Sequence, residues 1–280
     1  MHNKIYKGIV VYGTEEYERN HWFANEIISK FRERGISVEL VITDNDYISL
    51  DYIPDFAIVR VINPNLTIYL ENLGCICFNN AYVSKIFNDK FETYNLAEKY
   101  GIKYIPTKLS NYSRLEELIN SNEDTIVKTL DGHGGKEVFL IRKEENVYEI
   151  VDKKLKNKLF CIQPRIGNKA RDLRVYVMGE KIYASVMRSS NNDFRANYSL
   201  GGNICEYVPD NNIVKIAEIL SGMFHSDFIG IDFIFDDDGN PFLNEIEDVV
   251  GTRMLYELTQ KDVVKDYIEH IINKLTDKRP

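Results

Sequence analysis

No apolar run in the chain approaches the ~18 residues that a membrane-spanning helix needs, and no signal peptide opens it; a cytoplasmic protein with reduced thiols and no membrane partner is expected. Cysteine is scarce and poorly spaced for metal. Cys75, Cys77, Cys161 and Cys205 lack zinc-site spacing, and Cys75-x-Cys77 lies in a short apolar run that reads as strand packing ahead of a metal or redox pair. Positive charge is outweighed: a formal charge of −8 argues against broad nucleic-acid binding, leaving only local basic clefts. Repeats and low-complexity stretches are absent. So is a glycine-rich dinucleotide fingerprint, since Gly13-Thr14-Glu15-Glu16 follows the first strand, and a Rossmann cofactor site is not expected. What remains is a chain of 280 residues, 44% hydrophobic and 28% charged, the make-up of an ordinary globular protein with one large domain or a few small ones sharing a core. A homo-oligomer is compatible with it.

The first eighty residues or so alternate strand and helix signals. Gly8-Ile9-Val10-Val11-Tyr12 is a buried-strand run, a helix follows over about 15–34 with Gly35 as its stop, and 36–42 is the next strand. Strands near 56–62 and 75–78 flank an amphipathic piece at 66–73, which makes a small parallel α/β unit. From about residue 81 the texture changes, with helices at 81–87 and 89–100 that end at Gly101 and another predicted at 113–120. Strands at 125–128 and 138–141 enclose a glycine-rich loop, and 159–163 leads into a long antiparallel region that runs to about 247. A final amphipathic helix covers 260–275. The expected division is 1–82, 83–165 and 166–280.

Chemistry concentrates in the last hairpin. Ile229-Gly230-Ile231-Asp232-Phe233-Ile234-Phe235 and Phe242-Leu243-Asn244-Glu245-Ile246-Glu247 flank an Asp/Gly/Asn-rich turn. A turn centred on Asp238-Gly239 places Asp232 opposite Glu245, with Glu247 on the same face opposite Gly230. Opposed like charges destabilise a bare strand pair, so three converging carboxylates suggest a cation, and all-oxygen ligands point to magnesium or manganese beside a phosphate. The alternative is a solvated acidic face with the register one residue off. The apolar neighbours on both arms favour the metal.

In Asp131-Gly132-His133-Gly134-Gly135-Lys136, the glycines let the backbone approach an anion, although a plain glycine-rich hairpin has the same look. Lys128 sits in the β-branched strand just before the loop. There it either seeks an anion such as a nucleotide phosphate or is an exposed edge lysine. His133 suits a solvent-facing or phosphate-side contact better than a catalytic base. The linker Cys161-Ile162-Gln163-Pro164-Arg165-Ile166-Gly167 follows, then a hairpin with Asp172, Arg174 and Arg188, then a polar loop with Arg195 and Asn197 that ends at Gly201-Gly202. Arginine suits bidentate phosphate or carboxylate recognition, though each alone reads as a surface ion pair.

This order of features resembles the ATP-grasp ligases: two lysines, glycine loop, linker, Asp-x-Arg hairpin, Arg-x-Asn loop, Asp hairpin and a Glu-x-Glu. It is most similar to the RimK-type glutamate ligases and bacterial glutathione synthetase, over about residues 84–275. The stretch 128–135 is similar to the glutathione synthetase glycine loop, and Arg195-Ala196-Asn197 with Gly201-Gly202 resembles the large loop of both groups. The resemblance implies an α/β ATP-grasp fold: an N-terminal α/β domain, a central lid and a C-terminal antiparallel-sheet domain, with ATP between the last two.

It further implies that Lys90 and Lys128 hold the ATP phosphates while Gly132, His133, Gly134 and Gly135 close over them. Adenine would bond the Gln163-Pro164 backbone and an N–H of Arg165 or Ile166. Asp172 would contact nucleotide hydroxyls or orient Arg174. Asp232, Glu245 and Glu247 would hold magnesium or manganese, with two ions expected, and Arg188, Arg195 and Asn197 would neutralise the transferred phosphoryl group.

Two departures stand out. The family usually ends its acidic motif Glu-x-Asn, whereas Glu247 stands here, which binds magnesium more tightly or favours manganese. The Ser/Thr-Pro-Gly segment that follows is replaced by Asp248-Val249-Val250-Gly251-Thr252-Arg253-Met254, so the acceptor pocket cannot be carried over. Arg253 either binds a substrate carboxylate or pairs with Asp248 or Glu257. The expected activity is ATP-dependent joining of a small-molecule or peptide carboxylate to an amine through an acyl phosphate. An ATP-binding regulatory protein without turnover is the alternative, and a phosphotransferase the weaker third.

Overall fold

The computed structural model describes residues 6–119, 123–130, 132, 135–198 and 201–277. The first unit is a parallel sheet of β1 (Lys7–Tyr12), β2 (Ser37–Ile42), β3 (Phe56–Val59) and β4 (Ile76–Phe78), in the order β2-β1-β3-β4. After Lys7 its central strands are apolar and buried, because both faces are covered. Helix α1 (Thr14–Glu33) buries Phe23, Ala24, Ile27 and Phe31 on one side. On the other, α2 (Pro64–Asn72) starts where Asn63 accepts from the Leu66 N–H and Pro64 sets the first turn.

Two capped helices follow. Asn80 caps α3 (Ala81–Phe87), and Asp89 accepts from the N–H groups of Phe91 and Glu92 to start α4 (Lys90–Lys99). Lys90 is thereby fixed as the first helical residue, where a cation opposes the helix dipole, and it is buried as well. A local rule broken this openly is expected where function demands it. Val83, Phe87, Ala97 and Ile102 pack into the core of the C-terminal sheet.

A second, smaller sheet holds β5 (Lys108–Asn111), β6 (Thr125–Thr129), β7 (Val138–Ile141) and β8 (Leu159–Pro164) in the order β5-β8-β6-β7. In place of one helix over 113–120, a single 3₁₀ turn at Tyr112–Arg114 runs into a short α5 (Leu115–Leu118). Another short helix, α6 (Val147–Ile150), covers this sheet's core of Val127, Ile141, Phe160 and Ile162.

The third sheet is antiparallel: β9 (Arg171–Met178), β10 (Lys181–Ser189), β11 (Asn203–Glu206), β12 (Phe228–Phe235) and β13 (Pro241–Glu247), ordered β11-β10-β9-β12-β13. The region read as wholly antiparallel is interrupted by helix α7 (Asn211–Phe224). Asp210 caps it, and Ile213, Ile216, Ala217, Leu220 and Phe224 recur at helical spacing, a signal present in the sequence. Two more helices, α8 (Arg253–Leu258) and α9 (Val263–Asp277), close the chain.

Alternation on β9 and β12 divides the residues between the two faces of this sheet. Leu173, Val175, Val177, Ile229, Ile231 and Phe233 join one core, in which α7 and the helices α3 and α4 pack. Asp172, Arg174, Tyr176, Gly230 and Asp232 take the other parity, so charge collects on that face. Among the described residues no helix is long and apolar enough to cross a membrane.

Candidate active site

The acidic hairpin has the pairing read from the sequence but reaches it by a different route. Asp232 faces Glu245 and Gly230 faces Glu247, as expected. Near the turn, however, Phe233 pairs with Leu243 and Phe235 with Pro241, one residue off the register of a turn centred on Asp238-Gly239. Gly239, at φ +88, instead closes a tighter connection in which its N–H donates to Asp236 O and the Asp236 N–H donates to Asn240 O. A β-bulge at Asn244 absorbs the difference. Leu243 and Ile246 are both in the apolar core, three apart where plain alternation would give two. The bulge puts Asn244 to use: its Oδ1 accepts from Lys128 Nζ at 3.1 Å, and its carbonyl accepts from the Tyr94 hydroxyl at 2.6 Å.

Asp232, Glu245 and Glu247 each offer an oxygen within 4.8 Å of the others. Trans ligands on one magnesium stand ~4.2 Å apart, so small rotations of these side chains would complete a set of hard oxygen donors, and the residues fit the ion. Arg174 grips Asp232 with both arms, Nε to Oδ1 at 2.8 Å and Nη2 to Oδ2 at 2.7 Å, and its Nη2 also reaches Glu247 Oε1 at 2.9 Å. Arg188 donates to Asp232 Oδ2 at 2.7 Å and to Asp172. The arginine that Asp172 holds is Arg188, its neighbour across the strand pair, not Arg174.

Electrostatics separates these carboxylates. Burial would push Asp232 up, but Arg174 and Arg188 outweigh it and hold the group down at about 2. Asp172 is raised by burial to about 6 against the pull of Arg188. Glu247 is raised to about 7, again by burial, with Arg174 opposing and the charges of Asp232 and Glu245 adding to the rise. Arg174 and Arg188 both stay charged, because the carboxylates around them overcome desolvation.

Lys90 and Lys128 enter from the other wall of the cleft. Lys128 lies on β6, between β7 and β8 and only 4% exposed, so it is no edge lysine. Its hydrogen-bond partners are neutral, Tyr94 Oη at 2.8 Å and Asn244 Oδ1, and burial lowers its pKa. Lys90 donates to Gly132 O at 2.7 Å and Leu130 O at 3.2 Å, and stands 3.7 Å from Glu245. A Cβ at Gly132 would meet Thr129 Oγ1 at 2.3 Å, so only glycine lets the loop lie this close to its strand.

Arg195 links the two walls. It pairs with Asp193 and donates Nη1 to Gly135 O at 2.6 Å, which sets Asn197 beside Gly135. At the linker, the Arg165 N–H is taken by Asp124 O, and the Gln163 side chain is tied to Thr107. Gln163, Pro164, Arg165 and Ile166 line one cleft with both lysines, Gly132, Gly135, Asp172, Arg188, Arg195, Asn197, Asp232 and Glu245. Its empty space, open mouth included, is about 940 Å³, within the range of small-molecule sites. His133 and Gly134 lie outside the described residues.

Arg174 and Glu247 are not in this lining but touch it through Asp232. Arg253 is exposed at the start of α8 and forms neither expected ion pair: Asp248 accepts from Asn88, and Glu257 from Tyr198. Sequence reading missed Tyr94 and Asn244. Their only sequence signal is the three-residue apolar spacing around Asn244.

This fold and cleft define a protein class. The ATP-grasp ligase PsnB, solved with a phosphomimetic variant of its minimal precursor, Mg and ADP, has the same fold, with a TM-score of 0.71 over 96% of this chain and 98% of that one at 13% identity. Residues 87–271 match the RimK-like ATP-grasp domain, and the chain belongs to that family. It is an ATP-grasp ligase, an enzyme that forms carbon–nitrogen bonds with ATP. Protein MG011 of Mycoplasma genitalium is 26% identical over 279 residues, 96% of this chain and 93% of that protein. Glutamate–LysW ligase ArgX of Sulfolobus acidocaldarius is 26% identical over 232 residues, covering 78% of this chain and 82% of that protein.

Proposed function

We propose that the enzyme joins a carboxylate to an amine through an acyl phosphate, releasing ADP and phosphate. The observation that carries this reading is one cleft in which buried Lys128, Lys90 and Arg188 face a carboxylate cluster able to hold a metal. Adenine enters at the 163–166 linker, with the Pro164 carbonyl and the Ile166 N–H as its partners. Lys90 and Lys128 take the phosphates, Lys90 exchanging the loop carbonyls for them. Asp232, Glu245 and Glu247 hold magnesium or manganese; the bound ions supply charge neutralisation to the β- and γ-phosphates.

Arg188, braced by Asp172, and Arg195 with Asn197 neutralise the phosphoryl group as the substrate carboxylate attacks it, and later the tetrahedral centre formed by the amine. No enzyme nucleophile takes part; positioning and charge carry the catalysis. Two ions suit the triphosphate, because Glu245 already stands beside Lys90, and Asp232 and Glu247 beside Arg174, so part of the positive charge here is already paired. The small sheet acts as the lid over the nucleotide.

Relatives are glutamate ligases, so glutamate is the first substrate to try, with free amino acids and peptides as its partners; exposed Arg253 is a candidate for a substrate carboxylate. Screening these pairs for stimulated ADP release tests the reading. A correct acid supplied without amine should yield a hydroxamate with hydroxylamine. If AMP is released, or a phosphorylated product accumulates that no amine consumes, the chemistry proposed is wrong.

A further inference from the structure

Arg174 occupies an unusual position for a phosphate-binding arginine. It starts on β9, lies along the strand pair over Gly230 and ends between carboxylates of β12 and β13. A Cβ built at Gly230 would stand 3.6 Å from Arg174 Cδ, ordinary contact distance, so the stem passes directly over this residue. One nitrogen, Nη2, serves both Asp232 and Glu247, two of the three groups that would hold the metal. An asparagine at 247 would offer this guanidinium a neutral amide oxygen; Glu247 offers a carboxylate oxygen at 2.9 Å, which when ionised adds ion-pair attraction to the hydrogen bond.

We propose that Arg174 is the resident cation of this carboxylate cluster, held there by Glu247, and that it must give up its place before a divalent ion can bind. The inference rests on the assignment of Asp232, Glu245 and Glu247 as the metal ligands. Its consequence is a coupling between ligands. A metal ion arriving alone competes with a guanidinium that has nowhere better to go. A nucleotide provides phosphate oxygens to receive Arg174, so nucleotide and metal strengthen each other's binding, by the same factor in each direction. The residue is then a positioning device for the metal step, which discourages occupation of the site without nucleotide.

The test is Mn²⁺ binding, read from the electron paramagnetic resonance of the free ion, with and without a non-hydrolysable ATP analogue. Arg174→Gln removes the competitor. Arg174→Lys keeps the charge but cannot grip Asp232 with two arms while reaching Glu247, and it decides the matter if the glutamine variant fails to fold. Without nucleotide, Mn²⁺ should bind either folded variant about tenfold more tightly than wild type, the size expected on losing one competing charge-assisted contact. The gain in Mn²⁺ affinity on adding the analogue should shrink correspondingly. If Mn²⁺ alone binds both folded variants no more tightly than wild type, while wild type binds Mn²⁺ with the analogue, the resident-cation role is overturned and the metal assignment stands. If wild type takes up no Mn²⁺ even with the analogue, the metal assignment itself fails and this inference with it.

Discussion

Lys128 carries an ammonium into a strand interior where, among the described residues, Tyr94 Oη and Asn244 Oδ1 receive it. Burying a cation among neutral partners costs stability, and a phosphate would relieve that cost. Lys128→Met should therefore raise the melting temperature of the nucleotide-free protein, by about 1 kcal/mol of stability, and weaken ATP binding at least about tenfold. Melting curves and calorimetry together check this; a variant that loses stability and keeps its ATP affinity would contradict the role. Asp172 offers a second test. Its carboxyl, raised to about 6 by burial, stays protonated in the native chain between about pH 4 and 6, where the unfolded group (~3.9) has ionised. Its contribution to stability thus falls as pH rises through that window. The ionised form braces Arg188, so turnover should drop below pH 6. Asp172→Asn should lower turnover and remove that acid limb, and a limb that survives unchanged in a pH–rate profile would assign it to another group.

The hairpin of β12 and β13 shows what an element must do to build the site. The Gly239 turn sets a register that would put Asp232 opposite Asn244, and the bulge shifts the pairing by one so that Asp232 meets Glu245. Deleting Asn244 should leave a regular hairpin that keeps Asp232 opposite Glu245 and Leu243 and Ile246 in the core, but it removes the oxygens that hold Lys128 and Tyr94 in the cleft. The expected outcome is loss of the thermal shift that magnesium and an ATP analogue give to wild type. A deletion variant that keeps the full shift would show that the bulge is dispensable. Gly230 is a milder probe. A Cβ there would meet Val250 Cγ2 at 2.6 Å, so Gly230→Ala should destabilise by about 1–3 kcal/mol in urea unfolding.

In the molecule as a whole, the cleft proposed for the nucleotide lies between two sheets, and the cations that would serve the phosphates are parked on the protein's own oxygens. Lys90 holds Gly132 O, Arg195 holds Gly135 O and Asp193, and Arg174 holds Asp232 and Glu247. The Arg195 contact joins the large loop to the glycine loop across the cleft. Arg195→Ala should lower kcat by about 10²–10³-fold with a much smaller change in ATP affinity, because its charge is needed most in the transition state. A loss of ATP affinity with kcat unchanged would make it a plain binding residue.

The sequence by itself determined which residue types meet. Alternation on β9 and β12 put the charged residues on one face and the apolar ones on the other. Asp89 fixed where α4 begins and so where Lys90 stands, and the glycine loop was visible from its composition. These signals are local: they rest on the two-residue period of a strand, the capping of a helix end and the steric freedom of glycine. Tertiary structure decided the partners. That Asp172 braces Arg188, that Arg174 reaches Glu247, that the Arg165 N–H is already taken and that Tyr94 and Asn244 receive Lys128 all follow from segments brought together by pairing. Tyr94 is 34 residues from Lys128, and Asn244 is 116. Neither the bulge at Asn244 nor helix α7 was read in advance, although both carried apolar spacing. A bulge is fixed only when the turn and the core impose different registers on the same strand, and that conflict exists only in the folded molecule.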